Sequence, residues 1–160
     1  MKILHRLGTV AFALIFTAAA ASAAAPKVAL HLQGLLFAKR DGKTVTLPID
    51  RPLKAGDLLL YRIDAHNEGK AAALGLEPVG KVPTRTVFVR VANAPRGSHV
   101  EFTLDGTHWS AHPMIRVIGP NGKPTEKPAP LAMYRAVRWS LSTPLSAGAT
   151  AVFAYEVRVK

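Results

Sequence analysis

Cysteine is absent from this 160-residue chain. Its absence excludes a disulfide framework, a thiolate metal centre and a catalytic thiol. It also excludes a diacylated lipoprotein anchor, which needs a cysteine after the signal segment. Carboxylates are scarce: ten stand against 21 lysines and arginines, a net charge of +11. Ten scattered acids leave little room for the carboxylate pair of a glycoside hydrolase. No Gly-x-Ser-x-Gly elbow, His-Glu-x-x-His sequence or phosphate-binding loop occurs, so the motifs of the common hydrolases, zinc peptidases and nucleotide enzymes are missing. Beyond Ala25 there is no long apolar run, and no stretch carries a convincing apolar stripe at helical spacing over three turns. A membrane span after that point and a helical fold are therefore not expected. About half of the residues are apolar, enough for a real core.

The first residues read as an address. Lys2, His5 and Arg6 form a basic start, and Val10, Phe12, Leu14, Ile15 and Phe16 form an apolar centre. Ala21-Ser22-Ala23 supplies the small-x-small pattern of a signal peptidase site. The expected division is a signal peptide at 1–23 and one domain at 24–160, with cleavage after Ala23 or Ala24. Loss of Lys2 and Arg6 leaves 19 basic against 10 acidic residues, or +9. The expected location is the periplasm or the exterior, and the expected partner is an unknown protein or an anionic envelope component.

After Pro26 the dominant signal is alternation with period two. Ala151, Phe153, Tyr155, Val157 and Val159 share one parity, with Thr150, Ala154, Glu156, Arg158 and Lys160 on the other. Val137, Trp139 and Leu141 alternate with Arg138 and Ser140. Val100, Phe102 and Leu104 alternate with Glu101 and Thr103. Val87, Val89 and Val91 alternate with Thr86 and Arg90, and Tyr61, Ile63 and Ala65 with Arg62, Asp64 and His66. Ile115 and Val117 flank Arg116. An earlier strand runs from Val28 to Phe37, and a short one passes through Val45 and Leu47. Turn residues that tolerate positive φ fall between these runs, at Asp41-Gly42, Asn67-Glu68-Gly69, Asp105-Gly106 and Asn121-Gly122. Gly119 to Pro130 holds four prolines and no periodicity, which predicts a long loop. Ala71 to Ala73 is the only helix candidate, and its neighbours suit a strand equally well. Seven to nine short antiparallel strands, each apolar on one side, predict an all-β two-sheet sandwich with Trp139 and Phe153 in the seam.

One stretch of the chain resembles a known family. Lys54-Ala55-Gly56-Asp57-Leu58-Leu59-Leu60-Tyr61 leads to Asn67-Glu68-Gly69. It is similar to the Pro-Gly-Asp-x-hydrophobic-x-Tyr strand ending in Asn-x-Gly of the bacterial conserved-repeat domain, domain of unknown function number eleven. The resemblance covers roughly Leu53 to Lys160, and Ala71 to Gly80 departs from the family's pattern. It implies an immunoglobulin-like sandwich in surface or envelope proteins, and it brings no catalytic residues and no cofactor.

The sharpest candidate for chemistry is the segment from His108 to Met114. Two imidazoles and a thioether, on His108, His112 and Met114, offer donors that copper takes. His31, His66, His99 and Met133 are possible further ligands. The bland alternative is a solvated loop with Met114 in the core, and the spacing matches no established motif. Asp57 and Asp105 read as turn residues that cap their own backbone, and Asp64 and Glu101 as residues of a solvated strand face. Arg90, Arg116, Arg138 and Arg158 all take the outward parity, partly balanced by Glu101 and Glu156. Nucleic-acid binding wants aromatics exposed among the basics, and here the aromatics read as core, so no nucleic-acid partner is expected. The reading is an exported, non-catalytic immunoglobulin-like module of the cell envelope acting through protein or envelope-surface contacts. The alternative is a small periplasmic copper-binding protein using the His/Met loop.

Overall fold

The computed structural model describes residues 25–160; the expected signal peptide lies outside them. The strands are β1 (Val28–Arg40), β2 (Lys43–Pro48), β3 (Leu58–Asn67), β4 (Val79–Lys81), β5 (Thr86–Asn93), β6 (Ser98–Thr103), β7 (Trp109–Ser110), β8 (Met114–Ile118), β9 (Pro124–Pro128), β10 (Ala136–Leu141) and β11 (Thr150–Val159). One turn of 3-10 helix, Leu131–Met133, precedes β10. The expected all-β sandwich of antiparallel sheets is present. Among the described residues there are eleven strands rather than seven to nine.

One sheet has the order β2-β1-β3-β11-β5 and the other β4-β10-β6-β7, while β8 and β9 pair only with each other. The chain passes from β10, central in one sheet, to β11, central in the other. That pair sits between the earlier crossings from β3 to β4 and from β5 to β6, so both sheets close around the same late connection. Alternation explains why the layers meet. Val137, Trp139 and Leu141 on β10 are buried, as are Ala151, Phe153, Tyr155 and Val157 on β11. The rings of Trp139 and Phe153 lie 5.6 Å apart at 54°, a tilted packing that favours aromatic pairs.

Two expectations need correction. On β5 the core residue is Phe88, 3% exposed, and not the Val87/Val89 face. Register shifts against β11 between Ala154 and Tyr155 and between Glu156 and Val157 reset the parity along the strand. A bulge inserts one residue and turns every later side chain over, so Val91 also packs on the core. The predicted loop from Gly119 to Pro130 contains β9, which pairs with β8 from Met114↔Pro128 to Ile118↔Pro124. Both prolines occupy strand ends in a two-stranded sheet, where a missing N–H faces outward and breaks no ladder. The Ala71–Ala73 segment is not helical; Ala73 forms a bridge with Leu145.

The Asn67-Glu68-Gly69 sequence is more than a turn. Asn67 is fully buried. Its Nδ2 donates to the carbonyls of Ala71 and Leu145 at 2.8 and 2.9 Å. Its Oδ1 accepts from the backbone N–H groups of Gly69 and Lys27 at 3.0 and 3.3 Å. A Cβ at Gly69 would collide with the backbone of Ala25 to Lys27, so this position admits only glycine. The turn at Asp41-Gly42 is a hairpin turn: both residues have positive φ, 51° and 74°, and Arg40↔Lys43 closes it, as a type I′ turn requires.

Candidate functional site

The loop after β6 carries the predicted metal-ligating residues. Thr103, buried at the end of β6, accepts the Gly106 N–H through Oγ1 at 2.8 Å and donates to Asp105 Oδ1 at 3.1 Å. Asp105 Oδ1 also accepts the N–H groups of Thr107 and His108 at 2.8 and 2.9 Å. Its other oxygen meets His108 Nδ1 at 2.6 Å. The side-chain bond from His108, followed by the two backbone N–H groups, holds the Asp105 carboxyl well below the usual carboxylate range. In return the hydrogen bond and then the charge of Asp105 raise the His108 imidazole above its ordinary value. Asp105 thus caps its own turn, as expected, and also fixes the imidazole that follows.

A cleft of about 300 Å³ opens beside this loop, with Phe102, Leu104, Trp109 and Met114 as its apolar wall and Asp105 and His108 on its rim. His108 and Met114 therefore share a cleft. His112 is not among its lining residues; its N–H is held by Ser110 Oγ at 3.1 Å. Met114 is 47% exposed, not core. His31, His66, His99 and Met133 lie on β1, β3, β6 and the 3-10 turn. Among the described residues no group of three or more His, Asp or Glu side chains is placed to hold a metal ion.

The outward arginines do not form one basic face. Arg90 and Arg158 stand on the five-stranded sheet, Arg138 on the four-stranded sheet and Arg116 on the β8–β9 hairpin. Two of them are neutralised. Arg90 grips Glu156 side-on, Nε donating to one carboxylate oxygen and Nη2 to the other, and Arg138 Nη2 lies 2.6 Å from Glu101 Oε2 with its guanidinium 4.6 Å over the Trp109 ring. Glu156 was expected on a solvated face, yet it is 3% exposed. It sits between Leu60 and Arg90 on neighbouring strands, and a bidentate contact with Arg90 satisfies both of its carboxylate oxygens.

The most distinctive surface feature is on β1. The first half of this strand pairs with β3 from Val28↔Asn67, but β2 joins it only from Leu35 onward. Val28 to Gly34 therefore keeps one backbone edge unpaired among the described residues. Leu30 and Leu32 stand opposite Ala65 and Ile63, which are buried. Cross-strand partners share a face, so both leucines point toward the core side. They are nevertheless 57% and 59% exposed, because the facing sheet does not reach them. Further along the same face Leu36 is buried against the core.

The chain matches no family model, no curated protein and no solved structure. The β1 edge is a feature that sequence reasoning did not single out. Its signal was available: Val28-Ala29-Leu30-His31-Leu32-Gln33-Gly34 has no charge and no proline, and such residues are what normally blunt an edge strand. No helix among the described residues is long and apolar enough to cross a membrane.

Proposed function

We propose that this protein is an exported, non-catalytic immunoglobulin-like module of the bacterial cell envelope, which acts by accepting a strand of a partner protein at the open edge of β1. The observation that carries the reading is the edge itself: seven uncharged residues with a free backbone ladder and Leu30 and Leu32 two residues apart on one face. Strand addition takes its affinity from main-chain hydrogen bonds and its specificity from pockets for alternate side chains. A segment with apolar residues at every second position fits both. Export is supported by the basic start, the apolar centre and Ala21-Ser22-Ala23. The sequence likeness to the conserved-repeat domain family supports an envelope setting.

A photo-crosslinker at Leu32 in living cells tests this, with one at Lys43 as the control. A discrete adduct at position 32, absent from position 43 and lost when Leu30 is changed to Lys, is the expected result. Recovery of the protein in the cytoplasm with residues 1–23 intact overturns the export half. Equal crosslinking at both positions overturns the edge half.

The copper reading has one observation in its favour, the common cleft of His108 and Met114. Titration with Cu(I) and Cu(II) separates it from the first. Submicromolar binding that disappears in a His108→Ala/His112→Ala variant would reverse the order of the two.

A further inference from the structure

A different part of the molecule, independent of the β1 edge, gathers unpaired cations. The chain crosses from β4 to β5 through the tight turn Pro83-Thr84-Arg85-Thr86. Thr86 closes this turn on the Pro83 carbonyl with its N–H at 3.2 Å and its Oγ1 at 2.7 Å. Arg85 has φ +65°, a left-handed conformation unusual for a side chain of this size. It is held there because its carbonyl accepts the N–H of Lys160 at 2.9 Å. Backbone strain of this kind persists only where the surroundings enforce it, and it clusters at binding sites.

The strained residue, with the rest of its turn and Lys160, lines two clefts of about 490 and about 440 Å³. The second is lined by Lys81, Arg85, Arg135 and Lys160, together with Thr84 and Tyr134, and by no carboxylate side chain. Elsewhere Arg40, Arg96, Arg116 and Arg158 stand singly on β1, the β5–β6 loop, β8 and β11, whereas Arg51, Arg62, Arg90 and Arg138 each hold an acid. Among the described residues none of the four cations of this cleft has such a partner. Four cationic residues lining one concavity without a carboxylate side chain among them make its potential positive.

We infer that this cleft binds an anionic saccharide, a sugar unit carrying carboxylate or phosphate. The guanidinium groups of Arg85 and Arg135 offer fork geometry to either anion. Thr84 and Tyr134 supply hydroxyl and ring contacts of the kind a sugar uses. The volume lies in the range of small-ligand sites, and a concave wall suits one residue of a glycan better than the plane of a bilayer.

The test is calorimetric titration of residues 24–160 with oligogalacturonate, against neutral dextran, inorganic phosphate and phosphatidylglycerol vesicles. Glycine adopts the Arg85 backbone without strain, so an Arg85→Gly/Arg135→Gln variant removes two charges and keeps the turn. Lys39→Gln/Lys43→Gln removes the same charge from the β1–β2 hairpin. Expected are binding of oligogalacturonate but not dextran, weakened about tenfold or more in the cleft variant and by less than about twofold in the hairpin variant. Equal weakening in both variants reduces the effect to net charge and overturns the site. Vesicle binding that depends on Arg85 without saccharide binding overturns the ligand class. Phosphate binding alone overturns the saccharide and leaves only an anion hole. The β1 edge is untouched by every variant, so strand addition stands or falls separately.

Discussion

At the scale of single residues, the buried polar groups carry the sharpest expectations. Asn67 makes four side-chain hydrogen bonds that tie the start of β1, the segment after β3 and the turn before β11 to one point. Asn67→Ala leaves the Leu145 and Ala71 carbonyls and two N–H groups without that partner inside the protein. Each orphaned group costs about 1–3 kcal/mol if water cannot reach it, and partial relaxation brings the expected loss to roughly 2–4 kcal/mol. Chemical denaturation with an unchanged slope measures it; a loss near zero means that water replaces the side chain. The Asp105–His108 pair gives a second expectation. The folded His108 value is raised, so the pair's contribution is complete below the unfolded value of about 6.5 and fades as pH rises through the folded one. The Asp105 value is lowered, so its contribution fades instead as pH falls below about 3.9. In an NMR titration His108 should lose its proton above the ordinary imidazole value of about 6.5, and Asp105→Asn should bring it back toward that value. An unmoved His108 midpoint in that variant refutes the pairing in solution.

At the scale of elements, the hairpin of β8 and β9 stands apart from the sandwich. Its strands pair only with each other, and its base is closed by the Ala129 N–H on the Pro113 carbonyl at 2.9 Å. A two-stranded sheet is marginal by itself in water. Replacing Ile115 to Lys127 with a short Gly-Ser turn should therefore leave the core standing, with a melting temperature lowered by no more than about 4 °C. Hydrogen exchange should be fast in β8 and β9 and slow in β3 and β11. A collapse of the melting temperature on replacement shows that the hairpin supports the sheets.

The same contrast separates what was legible in the sequence from what was not. β3, β10 and β11 were readable because their large apolar residues alternate regularly along each strand. β5 misled because its two irregularities lie in pairing with β11, and no local residue signals them. β9 was hidden by its prolines, which are tolerated only because both strands of that hairpin are edges. Burial of Glu156 was equally hidden: parity sets it outward, and its cover comes from Arg90, 66 positions away in the chain. Of the candidate sites, the capping role of Asp105 was legible, since an Asp-Gly turn is local. The β1 edge needed the knowledge that pairing with β2 ends at Leu35↔Pro48, and the cationic cleft needed Lys81, Arg85, Arg135 and Lys160 to be brought together by the fold.

At the scale of the whole molecule, the topology dictates how the chain folds. The central pairings are distant in sequence: Tyr61 lies opposite Tyr155, and Val137 opposite Phe102. Neither sheet is complete until the β10–β11 connection arrives at its middle. Loop closure must then be met before the contacts that reward it, which slows folding. Relaxation on the scale of milliseconds to seconds is expected. Trp139 is fully buried against Phe153 and Tyr155, so a Trp109→Phe background makes its fluorescence the sole tryptophan reporter. Val157 and Leu36 separate early from late events. Val157 lies in the central strand between β3 and β5. Leu36 belongs to β1, whose docking only extends an existing sheet. Val157→Ala should slow refolding, placing most of its energetic effect in the transition state. Leu36→Ala, with an expected cost of about 2–5 kcal/mol, should mainly speed unfolding. If instead Leu36→Ala slows refolding as strongly as Val157→Ala, β1 belongs to the nucleus and closure around the late connection is not the step that limits folding.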